Sequence, residues 1–352
     1  MVELKHPDRR RHVVRVLVSI TSAVALLVFV LPRVAGTTLA DVRHALSALT
    51  GPDLIGLTLI WAAGLVAHSF VLTGALPGLS RRRALTLNLT GSAVSNVLPF
   101  GGAAGMALNY AMIRSWRVSV AGYAAFTLLT NVWVVLLKLT LPAVALTALL
   151  LSGTPVSHAM RWTAIGATVA LTFVVSAFVL TLASRSKAER AAAYMVPGVV
   201  RIGGILRRSI DADALLTQVL ECHDRVAAVA GKRWLQLSAG MIGYAMLQAT
   251  LLFCCLSAVG GRITVVQVLT AYAVDRVLTT VFLTPGGAGV TEAGTTAVLV
   301  ALGGAPGAMT AGVLLYRAFT FALEIPVGGV WLAGWLLTHR RVGEPTPMGR
   351  GL

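Results

Sequence analysis

The chain has 352 residues, of which 57% are hydrophobic and 12% charged, against about 25% charged in an ordinary soluble domain. With a mean hydropathy of +0.82, this composition excludes a soluble globular protein and predicts an all-α polytopic membrane protein. The net charge of +16 gathers at loop ends, the positive-inside pattern, and no soluble basic domain exists to carry it, so nucleic acid is excluded as a partner.

Apolar runs near the roughly 20 residues that cross a bilayer recur along the chain, over residues 13–31, 54–76, 118–151, 162–183, 235–259, 265–283 and 307–337. The first follows the basic stretch HPDRRRHVVR. Its apolar run is too long for a signal peptide, and Pro32-Arg33 stands where a cleavage site would, so it reads as a retained span. Lys and Arg in the short loops set the orientation. Lys5, Arg9, Arg10, Arg11 and Arg15 put the N-terminus in the cytoplasm, and the nearly charge-balanced loop 32–53 lies outside. Arg81-Arg82-Arg83 returns to the cytoplasm, and so do Arg114 and Arg117.

The segment between those two basic clusters, 84–113, leaves and re-enters the same face. It is expected to be a re-entrant hairpin, with the Pro/Gly-rich stretch NVLPFGGAAG (96–105) at its tip. Residues 118–151 cross outward, as one long span or two short ones, and 162–183 return. The charged segment 184–234 is expected to be a cytoplasmic linker of one or two amphipathic helices. Residues 235–259 cross out, and 265–303 form a second hairpin, entered from outside, whose tip carries TPGGAGVTEA (284–293). Residues 307–337 cross in, and His339-Arg340-Arg341 marks a cytoplasmic C-terminus. The sum is about six full spans and two hairpins, or eight or so spans if the hairpins are counted. All belong to one transmembrane domain, 1–352, that localises to the inner (plasma) membrane.

An internal repeat accompanies this plan. With Pro99 placed over Pro285, PFGGAAG lies over PGGAGVT, and further on TNVWVVLLKLTLP lies over YRAFTFALEIP. Residues 54–151 and 235–338 then form two copies. Their opposite running directions make the repeat inverted, an architecture shared by many transporters. At this register Lys138 aligns with Glu324, and a two-fold axis is expected to bring them near one another.

Lys138, Asp275, Arg276, Glu292, Arg317 and Glu324 all fall within apolar segments. Ionisable groups at such positions face a bundle interior or an aqueous cavity and pair with one another. Arg317 and Glu324 are seven residues apart, which puts them on one helical face. The bland reading is a set of buried salt bridges. The functional one is a cavity for a charged headgroup, where Arg forks suit phosphate and helix N-termini exposed by the breaks suit anions. Pro99, Gly101, Gly102, Pro285, Gly286, Gly287 and Gly289 form the hairpin motifs, and the second-motif glycines would let a headgroup approach the backbone. Asn96, Asn109 and Asn131 add uncharged hydrogen-bonding groups. His68, alone on an apolar helix, reads as structural. No nucleotide loop, metal spacing or cofactor motif appears, and the cysteines Cys222, Cys254 and Cys255 have no metal spacing, so neither enzyme activity nor a cofactor is expected.

At TPGGAGVTEAG, with LLYRAFTF some residues on, the chain resembles the lysylphosphatidylglycerol synthase/flippase transmembrane family. That family carries a Pro-Gly-Gly-x-Gly-x-x-Glu signature, matched over 285–292, and a Tyr-Arg pair, matched by Tyr316-Arg317. NVLPFGGAAG looks like the family's earlier Pro-Gly element. The resemblance implies a multi-pass bacterial inner-membrane protein that moves lipid between leaflets. The partners implied are an anionic phospholipid, an aminoacylated lipid or a polyprenyl-phosphate lipid, with a homo-oligomer left open. Well-understood members also carry a soluble aminoacyl-transferase domain. Because this chain ends soon after its last span, a stand-alone flippase-like protein is expected. The alternative is a non-transporting scaffold in an envelope lipid or glycan pathway.

Overall fold

A computed structural model describes residues 38–98, 101–153, 158–182, 184–205, 211–280 and 287–340. The expected first span, 13–31, and the hairpin residues Pro99, Pro285 and Gly286 lie outside them. All regular structure among the described residues is helical. Five helical stretches are long and apolar enough to cross a membrane: Gly51–Ala75, Val120–Leu151, Arg161–Leu180, Ala212–Ala258 and Pro306–Thr338. The protein is therefore an all-α polytopic membrane protein.

The described residues begin with a short helix, α1 (Leu39–Leu46), and the first described span, α2 (Gly51–Ala75). Both start at reciprocal caps. In α2 the Thr50 amide donates to the Asp53 carboxylate at 2.9 Å, and Thr50 Oγ1 accepts from the Asp53 amide, satisfying donors a helix start otherwise leaves orphaned. Next comes a pair of short antiparallel helices, α3 (Arg81–Val97) and α4 (Gly101–Ser115). Gly101 and Gly105 let them meet closely: a methyl group on either would overlap Ser95, and Gly105 also abuts the Gly91 carbonyl. Without a hydrophobic drive between helices in lipid, such close backbone approach is a main source of packing energy. Gly102, in the same motif, faces open space.

α5 (Val120–Leu151) is one unbroken 32-residue helix that carries Pro142 internally, so the one-or-two-span question resolves to one. α6 (His158–Leu182) and α7 (Arg185–Ile205) follow. α8 (Ala212–Ala258) has 47 residues, about 70 Å at 1.5 Å per residue and more than twice the hydrocarbon thickness. The charged segment up to residue 234 is thus not wholly a separate linker. Its second half continues straight into the span, because no proline interrupts 212–258.

A second pair of short antiparallel helices comprises α9 (Val265–Leu278) and α10 (Val290–Ala301). Gln267 caps α9 and also donates to the Leu302 carbonyl at 2.7 Å, tying the far ends of the pair together. At 14 and 12 residues, these helices reach only about 21 and 18 Å. The last span comprises α11 (Pro306–Arg317), a π-helical turn (Ala318–Ala322) and α12 (Glu324–Arg340). The π turn is closed by a bond from the Leu323 amide to the Ala318 carbonyl at 2.8 Å.

Two apolar cores result. One gathers Leu57 and Trp61 of α2, Leu251–Leu256 of α8, Tyr272 of α9 and Tyr316 of α11. The other gathers Val71 and Leu72 of α2, Leu87 of α3, Met112 of α4, Leu129 and Trp133 of α5, and Leu237 and Met241 of α8. Along α2 the boundary falls between Trp61 and Val71, near the middle of the span. Along α8 it falls around Tyr244.

Candidate functional site

A cavity of about 250 Å³ occupies that boundary. Its walls are polar although both neighbouring cores are apolar. α2 contributes Trp61, Gly64, Leu65 and His68; α3 contributes Asn88, Ser92 and Asn96; α8 contributes Tyr244 and Gln248. Arg276 and Thr279 close it at the end of α9, and Arg317, Thr320 and Glu324 line it around the π turn.

The helix breaks explain how charge is held here. Arg276 and Arg317 sit in the last turns of α9 and α11, while Glu292 and Glu324 sit in the first turns of α10 and α12. Cations at helix C-termini and anions at N-termini are the arrangement the macrodipole favours. The break between α9 and α10 therefore gives Arg276 and Glu292 matching dipole ends, whereas Arg317 and Glu324 flank a π turn through which the backbone stays helical. π turns recur at functional sites, and this one lies between the two charged residues of the last span.

Glu292 is buried and doubly engaged. One carboxylate oxygen accepts from Arg317 Nε at 2.7 Å, and the other accepts from the Gly289 amide at 2.6 Å. Gly287 and Gly289 have φ of +70° and +89°, in the left-handed region that costs other residues about 1–2 kcal/mol. That conformation starts α10 at the depth where Glu292 meets Arg317. The expected anion site at this break is consequently filled by the protein's own carboxylate. Gly287 and Gly289 are buried structural residues and do not line the cavity.

Asp275 and Arg276 are adjacent in sequence and form an ion pair, with Arg276 Nε donating to Asp275 at 2.8 Å. The Arg276 guanidinium also lies 5.3 Å from the Tyr272 ring centre and 3.4 Å from the Tyr316 hydroxyl. Asp275 is only 1% exposed. On its other side α9 borders an apolar cavity of about 260 Å³, lined by Val274 and Val277 with Pro142 and Leu149 of α5. Glu324 accepts hydrogen bonds from Ser92 and from Asn96 Nδ2, the latter at 3.4 Å, joining α12 to α3.

The sequence-predicted residues are thus divided. Arg276, Arg317, Glu324 and Asn96 meet at the cavity, with Glu292 and Asp275 behind the two arginines. Lys138 is half-buried on α5 and within electrostatic range of Asp275 and Arg276, outside the cavity wall. Glu324, its equivalent in the expected register, lines the cavity with Asn96 instead. Asn131 is exposed and donates to the Thr127 carbonyl of its own helix at 2.8 Å; the structure does not bring it to the cavity. Asn109 packs beside Gly91, where it serves the α3–α4 contact.

Sequence reasoning missed His68, Asn88, Ser92, Tyr244, Gln248 and Thr320. His68 Nδ1 lies 3.0 Å from Asn88 Oδ1, and its ring is 5.0 Å from that of Tyr244; Gln248 donates to the Tyr244 hydroxyl at 3.0 Å. The available signal was the stripe Asn88, Ser92, Asn96, spaced by four and so on one helical face. The Trp61 indole N–H is buried at the cavity wall with no protein acceptor. Among the described residues no group of three His, Cys, Asp or Glu gathers as a metal would require.

Fold and site together define a polytopic membrane protein with a charged, hydrogen-bonding chamber between two apolar cores. The family model for the lysylphosphatidylglycerol synthase transmembrane region matches residues 13–328. The chain belongs to that family. A search of the curated proteins finds no match.

Proposed function

We propose that the protein is a lipid translocase that moves the phosphate-bearing headgroup of a membrane lipid through this cavity. The observation carrying the reading is the cavity itself: two guanidinium groups, a carboxylate and neutral amides surround a chamber at mid-depth, where lipid alone would leave polar groups unsatisfied. Guanidinium forks match phosphate oxygens bidentately. At about 250 Å³, the chamber is smaller than the roughly 300–1,000 Å³ of pockets that enclose whole drug-sized ligands. It suits a headgroup whose tails remain in the bilayer. The short pairs α3–α4 and α9–α10 act in this reading as re-entrant hairpins of an inverted repeat. The basic loops face the cytoplasm of the inner membrane, and the chain carries out no covalent chemistry.

Phosphate is common to the three lipid classes at issue: anionic phospholipid, aminoacylated phospholipid and polyprenyl-phosphate lipid. The test is leaflet exchange in proteoliposomes carrying fluorescent versions of each, run in parallel. The wild-type chain should accelerate exchange of at least one class, and Arg276→Gln and Arg317→Gln should each slow it about tenfold or more, the worth of one charge-assisted contact. No acceleration for any class, or wild-type rates in both variants, sinks the proposal. A second reading, a non-transporting scaffold, is favoured by one observation: the Glu292 carboxylate bonds to Arg317 and caps its own helix. It predicts that Glu292→Gln lowers stability while the protein accelerates no lipid exchange.

A further inference from the structure

A second, separate cavity of about 710 Å³ opens between α2, α3 and α8. Its wall on α2 is the stripe Ala63, Val66, Ala67 and Phe70, which repeats every three to four residues and so forms one face. Opposite, α8 presents only small residues, Ala239, Gly240 and Gly243. A side-chain atom added at Gly243 would meet nothing within 4 Å. The groove is thus open because α8 lacks side chains there. At its end on the basic face stand Arg81 and Arg82, both exposed, in the first turn of α3. No acidic residue lines the groove.

We propose that this groove binds one anionic phospholipid of the leaflet at the basic face, with an acyl chain along α2 and α8 and the phosphate on Arg81 and Arg82. The occupant follows from charge and depth. A chain-shaped apolar trough that ends in two arginines at the interface fits an acyl tail joined to an anion. Each basic residue near an anionic leaflet contributes about 1 kcal/mol, or about fivefold, to lipid attraction. A zwitterionic or cationic headgroup also brings a phosphate, but its ammonium group meets two arginines and no acidic partner at this rim. The same three helices also line the polar cavity, through His68, Asn88 and Tyr244. Resting on the translocase reading, the groove is the place where lipid waits before its headgroup enters the chamber. The binding claim stands without that step.

Native mass spectrometry of the full chain in detergent, with equimolar phosphatidylglycerol and phosphatidylcholine, tests the proposal. The wild type should retain phosphatidylglycerol about tenfold over phosphatidylcholine. The Arg81→Gln/Arg82→Gln double variant should lose that preference. Gly243→Leu should fill the trough and lower retention of phosphatidylglycerol about tenfold, with an unfolding temperature like that of the wild type. Gly243→Ala serves as the folding control, since its methyl enters open space. Arg317→Gln should slow leaflet exchange while keeping the preference for phosphatidylglycerol over phosphatidylcholine that the groove supplies, which separates failure of the groove from failure of the cavity. Equal retention of both lipids, or wild-type retention in both the arginine and the Gly243→Leu variants, overturns the proposal.

Discussion

Glu292 offers the sharpest energetic test. Replacing it with alanine removes the carboxylate that Arg317 Nε meets at 2.7 Å and the acceptor of the Gly289 amide. Breaking a buried pair by deleting one partner costs about 3–5 kcal/mol, a large share of the roughly 5–15 kcal/mol by which a folded domain is stable. Glu292→Gln is the informative variant, because its one amide oxygen can still accept from Gly289, while the charge and the acceptor for Arg317 are lost. It should cost about 1.5–3 kcal/mol, the worth of a hydrogen bond to a charged group. Arg317→Met should cost a comparable amount, since it leaves the carboxylate buried and unpaired. Combining the two removes both charges from the interior, and exchanging a buried pair for groups of similar volume is often near neutral. The double variant should therefore cost well below the sum of the singles. Reversible unfolding in mixed micelles, followed by tryptophan fluorescence, measures each arm of the cycle. Singles costing under about 0.5 kcal/mol, or strictly additive costs in the double variant, would refute the reasoning that the pair is a coupled buried unit.

Three further outcomes follow from the geometry. Gly289→Ala should destabilise by about 1–2 kcal/mol, because its φ of +89° is one that L side chains rarely adopt; equal stability of Ala and Gly at this position contradicts the described turn. Gly101→Ala should disrupt the α3–α4 contact and lower the unfolding temperature, whereas Gly102→Ala should not, since only Gly101 abuts Ser95; a reversed order would mean a different register between the two helices. In the exchange assay, Asn131→Ala should leave rates within about twofold of wild type, as a surface change remote from the site. Asn96→Ala should slow exchange, because Asn96 bonds to Glu324 across the cavity; equal effects at the two positions would argue against the cavity as the route.

Much of this protein was legible in its sequence because the bilayer imposes a strict length and polarity rule. The runs 54–76, 118–151, 162–183, 235–259 and 307–337 correspond to the five described stretches that can cross a membrane. Arg276, Arg317, Glu324 and Glu292 stood out because ionisable groups in apolar runs are expensive and so must be placed with partners. Sequence also located the break at TPGGAGVTEA. What it did not determine was which partner each charge takes. Glu292 was legible as a buried acid, but not as the cap of its own helix, since that depends on the left-handed turn at Gly287 and Gly289. Glu324 lines the cavity and Lys138 does not, a difference that the apolar pattern of their helices does not show. His68 and the stripe Asn88, Ser92, Asn96 gain their meaning only when α2, α3 and α8 close around one space. Local sequence sets hydropathy, caps and breaks, which are properties of a few neighbouring residues. The enclosure of a polar chamber depends on six helices distant in sequence, and only their packing decides which side chains face it.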